Sequence, residues 1–166
     1  MQCVQPASFV QVDILFFWYV TDAAGQPVIA ISHSLEISIS LMLNVFLVDD
    51  DSQVLSTMTE LLEGLPNVRV VGHAVSERAA VDWLLEQRTK WHLAIVDLSL
   101  KPGNGLQVLS ACRVRQSNQK VVVLSNHLNA AARRRCAAMG ADAVFMKDSE
   151  IGSILKYCSA LAGSQK

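Results

Sequence analysis

The chain has 166 residues, a net charge of −1, and a hydrophobic fraction of 51% against 17% charged residues. That length suits one domain of ordinary size with a short appendage, and the apolar excess points to a sheet buried on both faces. Near-neutrality excludes a global field that would recruit nucleic acid or an anionic membrane, and no uninterrupted apolar run reaches the ~18 residues of a membrane-spanning helix.

Residues 1–43 contain no Lys or Arg and lack a helical or strand period, so an irregular N-terminal extension is expected. The regular pattern begins at Asn44, and Met42 stands just ahead of it. The preferred reading is upstream sequence translated through a misassigned start, with Met42 as the natural first residue. The alternative is a genuine segment whose Phe16, Phe17 and Trp18 pack on a helix face or at a dimer contact. The N-terminus also lacks the basic residues that open a secretory signal.

From Asn44 strands and helices alternate. Asn44–Val48 reads as a buried strand ending in Asp49, Asp50 and Asp51. Asp51 leads directly into the next helix and is expected to be its N-cap. That helix, Ser52–Glu63, repeats apolar residues at Val54, Leu55, Met58, Leu61 and Leu62 and closes at Gly64. Val68–Ala74 is a second strand. Ser76 and Glu77 open a helix with Ala80, Val81, Leu84 and Leu85 as its core face. Leu93–Val96 is a third strand, ending at Asp97.

A loop from Leu98 to Asn104 contains Pro102 and Gly103 and leads into a helix bearing Leu106, Val108, Leu109 and Cys112. Val121–Leu124 is a fourth strand ending at Ser125, Ala130–Met139 a helix stopped by Gly140, and Ala143–Met146 a fifth strand ending at Lys147. The last helix spans Ile151–Leu161. Five strands separated by helices imply an α/β fold: a doubly wound, five-stranded parallel sheet over residues 44–162, with 163–166 as a tail.

Cys3, Cys112, Cys136 and Cys158 have no zinc-ligand spacing, and the later three fall in apolar helical patterns, so reduced buried thiols in a cytoplasm are expected. His33, His73, His92 and His127 share no ligand spacing either. Arg133, Arg134 and Arg135 are consecutive on a helix and fan around it, which favours a solvated face. The alternative is pairing of some of them with acids of a second copy or a partner.

Asp49, Asp50, Asp97, Ser125 and Lys147 all leave apolar strands at their C-terminal ends, the edge where open α/β sheets bind ligands. Three crowded carboxylates call for a hard cation, and Mg²⁺ fits that donor set. A carboxylate nucleophile, a lysine and a small hydroxyl complete a site for phosphoryl transfer to aspartate.

The runs Val45-Phe46-Leu47-Val48-Asp49-Asp50-Asp51, Ile95-Val96-Asp97-Leu98, Val122-Val123-Leu124-Ser125 and Val144-Phe145-Met146-Lys147 resemble the signature segments of response-regulator receiver domains of two-component signalling. The resemblance implies a flavodoxin-like receiver fold and a stand-alone phosphoacceptor switch. Asp97 would be the phosphoacceptor. Mg²⁺ would be bound by Asp50, Asp97 and the backbone carbonyl of Ser99, with Asp49 acting through water. Ser125 would be the switch hydroxyl and Lys147 the cation on the phosphoryl oxygens. Gly105 matches the glycine where the third helix begins. A sensor histidine kinase or phosphotransfer protein would be the donor and a protein target the output, with a homodimer as a candidate assembly and no direct DNA or membrane binding.

The chain departs from the family pattern at three places. Val144 replaces a frequent aromatic, Asn126 is larger than the usual small residue and is expected to slow labelling by small phosphodonors, and Asp148 replaces a proline, removing the reason for a cis peptide there. A rival reading is a phosphotransfer enzyme or phosphatase of related fold, with Asp49 as nucleophile and Asp51 as its second acid.

Overall fold

A computed structural model of the protein describes residues 18–21, 27–30, 42–126 and 128–164. The chain divides into two units, Met1–Ser38 and Ile39–Lys166. In the first, β1 (Trp18–Thr21) pairs antiparallel with β2 (Pro27–Ala30), Trp18 opposite Ala30 and Thr21 opposite Pro27. The extension is therefore not wholly irregular. Each strand is only four residues long, too short to show a period, but aromatic and β-branched residues at 18–21 favour extended backbone.

The second unit runs β3 (Leu43–Val48), α1 (Ser52–Glu63), β4 (Val68–Ala74), α2 (Glu77–Glu86), β5 (Leu93–Val96), α3 (Gly105–Ala111), β6 (Lys120–Ser125), α4 (Ala130–Ala138), β7 (Ala143–Met146) and α5 (Ile151–Ser164). The sheet order is β4-β3-β5-β6-β7, and every pairing is parallel. This is the doubly wound five-stranded sheet expected, and its last helix continues past Leu161.

Alternation along each central strand builds two cores. Phe46, Val48, Ala94, Val96, Val121 and Val123 face one way, against Ala80 and Leu84 of α2, Val108 and Leu109 of α3 and Cys136 of α4. Val45, Leu47, Leu93, Ile95, Val122 and Leu124 face the other, against Leu55, Met58 and Leu62 of α1 and Ile154 and Cys158 of α5. A strand buried on both faces reads as a continuous apolar run, which is what these segments are.

Cys112, Cys136 and Cys158 are free and buried, as expected of small hydrophobes. Leu85, expected in the core, is 42% exposed. Trp83 takes the packing role on this helix instead, its ring stacked on Phe46 with centroids 3.9 Å apart. Gly72 makes room for that stack, since a Cβ there would lie 3.3 Å from Trp83 and 3.4 Å from Phe46.

Short polar residues cap the helix starts. Asp51 accepts from the Gln53 and Val54 amides, as its position predicted. Asn104 accepts from the Leu106 amide and Asn129 from the Ala132 amide. Gly140, at φ +97°, closes α4. Among the described residues the one cis peptide is Lys101–Pro102, and Lys147–Asp148 is trans.

Candidate functional site

Asp49 follows β3, Asp97 follows β5, Ser125 ends β6 and Lys147 follows β7. Parallel pairing aligns these ends: Val48 is opposite Val96, and Ser125 is opposite Met146. The topology thus delivers the four groups to one sheet edge, with Asp50 beside them.

Carboxylate oxygens of Asp49, Asp50 and Asp97 lie within 4.8 Å of one another. Asp49 and Asp97 are each only 5% exposed, and Ser125 is fully buried. Lys147 Nζ donates to Asp97 Oδ2 at 2.9 Å and pairs with Asp49 Oδ2 at 2.5 Å. Asp49 Oδ1 also accepts from the Asp51 amide at 3.1 Å.

Burial pushes the Asp49 carboxyl above its ordinary value, and the hydrogen bonds from Lys147 and the Asp51 amide offset this only in part. Burial alone would lower the Lys147 pKa, but the two carboxylates together hold it above the ordinary lysine value. Lys147 is therefore a fixed cation, yet one ammonium faces three acids. Asp97 Oδ1 and Ser125 Oγ are buried with no hydrogen-bond partner. A buried acceptor without a partner carries a desolvation penalty, and it adjoins two further carboxylates. An all-oxygen, anionic donor set of this kind suits a hard divalent cation, so the cluster could bind a metal.

The loop after β5 is braced from two sides. Gly105 donates its amide to the Leu98 carbonyl at 3.1 Å, and a Cβ at Gly105 would lie 1.9 Å from the Asp97 carbonyl oxygen, so only glycine fits. Across the loop, Glu77 Oε2 accepts from the Asn104 amide at 2.8 Å. Ser99 is exposed in this loop, two residues past Asp97, and its carbonyl as a ligand remains an expectation. His127, Cys3 and His33 lie outside the described residues. His92 is occupied structurally, its Nδ1 accepting from the Asn44 amide at 3.1 Å.

The sequence reading missed two polar groupings. Glu77 as a loop brace carried no signal except its place in the first turn of α2. At the other end of the site, Arg133 Nη1 donates to the Val144 carbonyl at 2.7 Å and Nη2 to Glu150 Oε2 at 2.8 Å. Arg134 and Arg135 are exposed, so the solvated-face reading holds for two of the three arginines.

A doubly wound parallel sheet with an acidic, lysine-bridged cluster at its C-terminal edge defines the class of this domain, and comparison with known proteins narrows it. The family described as response regulator receiver domain matches residues 45–159. The chain is 29% identical over 111 residues to the photosynthetic apparatus regulatory protein RegA of Rhodobacter capsulatus, covering 67% of this chain and 58% of RegA. It is 28% identical over 125 residues to the nitrate/nitrite response regulator protein NarL of Escherichia coli K12, covering 73% of this chain and 55% of NarL. The response regulator domain of Thermotoga maritima CheB superposes with a TM-score of 0.65 at 18% identity, over 75% of this chain and 99% of that domain. The chain belongs to the response regulator receiver domain family of two-component signalling. It spans a little over half the length of RegA and NarL. Among the described residues no helix is long and apolar enough to cross a membrane.

Proposed function

We propose that the chain is a phosphoacceptor switch, with Asp97 taking a phosphoryl group from a sensor histidine kinase or a phosphotransfer protein. The observation that carries this reading is the Lys147 ammonium on Asp97 Oδ2 and Asp49 Oδ2, beside a buried Asp97 Oδ1 and Ser125 Oγ that lack partners. An Asp97 oxygen attacks phosphorus, an O–P bond forms, and the P–N bond to the donor imidazole breaks. The imidazole nitrogen keeps the electron pair and takes a proton from water. Lys147 then faces phosphoryl oxygens in place of the carboxylate oxygen it held, and the Ser125 hydroxyl gains an acceptor.

Asp50, Asp97 and the Ser99 carbonyl would hold Mg²⁺, with Asp49 acting through water. When bound, Mg²⁺ supplies charge neutralisation at the phosphoryl oxygens. The rival nucleophile, Asp49, has its Oδ1 engaged by the Asp51 amide where Asp97 Oδ1 has no partner, and its would-be second acid, Asp51, is committed to capping α1. Both facts favour Asp97.

Output is a changed protein-interaction surface built from α4, β7 and α5, read by a protein target or a second copy of the chain. Turnover is not the output, so the chain acts as a switch and not as an enzyme. The near-neutral charge argues against direct DNA recognition. The test is intact-mass measurement after incubation with acetyl phosphate. One phosphoryl group should be gained in Mg²⁺ and none in EDTA, and Asp97→Asn should gain none. Labelling that persists in Asp97→Asn would sink the assignment, and labelling lost only in Asp49→Asn would install the rival.

A further inference from the structure

We propose that Arg133 and Glu150 are positioning residues for Lys147, which makes α4 a mechanical part of the phosphorylation site. The inference rests on the reading of Asp97 as phosphoacceptor and deepens it. β7 is the edge of the sheet, four residues long and hydrogen-bonded to β6 alone. All four of its residues are only partly buried. Such a strand is the first place a sheet opens, yet its end must hold Lys147 Nζ within 2.9 Å of Asp97.

The open side of β7 is closed by one ion pair and one helix start. Arg133 donates to the Val144 carbonyl at 2.7 Å, and Glu150 Oε2 accepts from the Met146 amide at 2.7 Å. Arg133 and Glu150 meet each other at 2.8 Å. The Glu150 amide donates to the Met146 carbonyl at 2.9 Å. Three main-chain groups on the two residues flanking Phe145 are thus held from α4 and from the turn into α5. On the other side, the pairing with β6 ends with the Lys147 amide reaching the Ser125 carbonyl at 3.3 Å, and the clamp adds a hold from outside the sheet. Arg133 lies in the first turn of α4, which begins soon after Ser125, so displacement of the β6 end moves the anchor of Lys147 as well.

Arg suits this post because its planar fork serves two acceptors at once, which an ammonium on a flexible stem does poorly. A misplacement near 1 Å costs up to about 100-fold in a positioned reaction, so partial loosening of β7 is expected to slow labelling roughly tenfold.

The experiment is a double-mutant cycle on acetyl phosphate labelling with Arg133→Gln, Lys147→Gln and the double variant, and with Arg133→Lys for partial rescue. If Arg133 acts through Lys147, its substitution slows labelling in the wild-type background and adds nothing in Lys147→Gln. Equal slowing in both backgrounds, or no slowing at all, overturns the proposal. A second readout needs no phosphorylation: acetylation of Lys147 by an amine-reactive ester, followed by mass spectrometry with exposed Lys90 as internal control. Arg133→Gln and Glu150→Gln should each speed Lys147 modification about fivefold, the effect of roughly 1 kcal/mol of local opening. Unchanged Lys147 reactivity in both variants overturns the proposal even if Asp97 is never labelled. Absent labelling of wild type with faster Lys147 modification in the variants would retain the clamp and reject the phosphoacceptor reading.

Discussion

Replacing Lys147 with Met removes the cation from the cluster while keeping an unbranched side chain of similar length. In the metal-free protein this leaves Asp49 and Asp97, each 5% exposed, facing each other and Asp50 without a counter-charge. At 2.9 Å the Lys147–Asp97 attraction alone has a gross value of about 6 kcal/mol at an effective dielectric of about 20. Burying the ammonium cancels part of that, and breaking one side of a buried pair typically costs about 3–5 kcal/mol. The lower end applies, because Lys147 keeps 12% exposure and Met packs its own chain, so a loss of about 3 kcal/mol is expected at pH 7. That corresponds to a fall of roughly 10 °C in Tm for a unit of this size.

Mg²⁺ supplies the second half of the test. A divalent cation binding the same carboxylates replaces the missing charge, and saturation near 100 times Kd adds about 2.7 kcal/mol of stability. Lys147 no longer competes for those oxygens in the variant, so Mg²⁺ should raise the Tm of Lys147→Met more than that of wild type. Thermal unfolding followed by circular dichroism, in EDTA and in Mg²⁺, reads both. Added NaCl should close little of the EDTA deficit, because a buried pair is weakly screened. Equal Tm values in EDTA, or a deficit that Mg²⁺ leaves intact, would refute the view that Lys147 and a metal balance the same charge.

Three further outcomes are expected. Gly105→Ala sets a methyl 1.9 Å from the Asp97 carbonyl oxygen, so a loss of about 3 kcal/mol in urea unfolding and slower Asp97 labelling are expected, and a change below about 0.5 kcal/mol would contradict the close approach. Burial pushes Cys112 up to about 11 and Cys158 up to about 12, so peptides carrying them should stay unalkylated by a short iodoacetamide pulse at pH 8 and react once urea unfolds the chain; rapid native alkylation would refute this. The hydrogen bond from Arg133, helped by the Met146 amide, lowers the Glu150 pKa below its ordinary 4.5; a lowered carboxyl supports the fold above its unfolded value and loses that support as pH falls through the folded one. Exchange protection of the Met146 amide should therefore drop in that acid window in wild type and not in Glu150→Gln, and identical profiles would show that Glu150 does not hold the strand.

The elements that could be read from the sequence share a physical cause. β3, β5 and β6 are buried on both faces, so each is an apolar run cut off by a polar residue, and that residue belongs to the site. The cap Asp51 was legible for a similar reason, since a short acceptor before an apolar helix has few other uses. Leu85 was misread because the apolar pattern does not reveal that Trp83, on nearly the opposite side of α2, packs against the sheet by stacking on Phe46 over Gly72. The deep burial of Trp91 and of Gln119, whose Nε2 donates to the Arg88 and Trp91 carbonyls, depends on loops meeting from distant parts of the chain and left no local pattern. Arg133 differs from Arg134 and Arg135 only in its angle around α4, and the acid it meets lies beyond the next strand.

That angle ties the site to its surroundings. The apolar strands leave one polar edge, and three carboxylates concentrated there must repel one another. Lys147 relieves part of this repulsion, but burial still holds the Asp49 carboxyl above its ordinary value, and the Asp97 Oδ1 acceptor has no partner. A site left in that condition favours any ligand that brings positive charge to the carboxylates. The same lysine sits at the end of an edge strand held from outside by Arg133 and Glu150. Whatever changes the charge that Lys147 answers therefore also changes the load on that clamp and, through it, on α4. Site chemistry and surface geometry are coupled because a single short strand carries both.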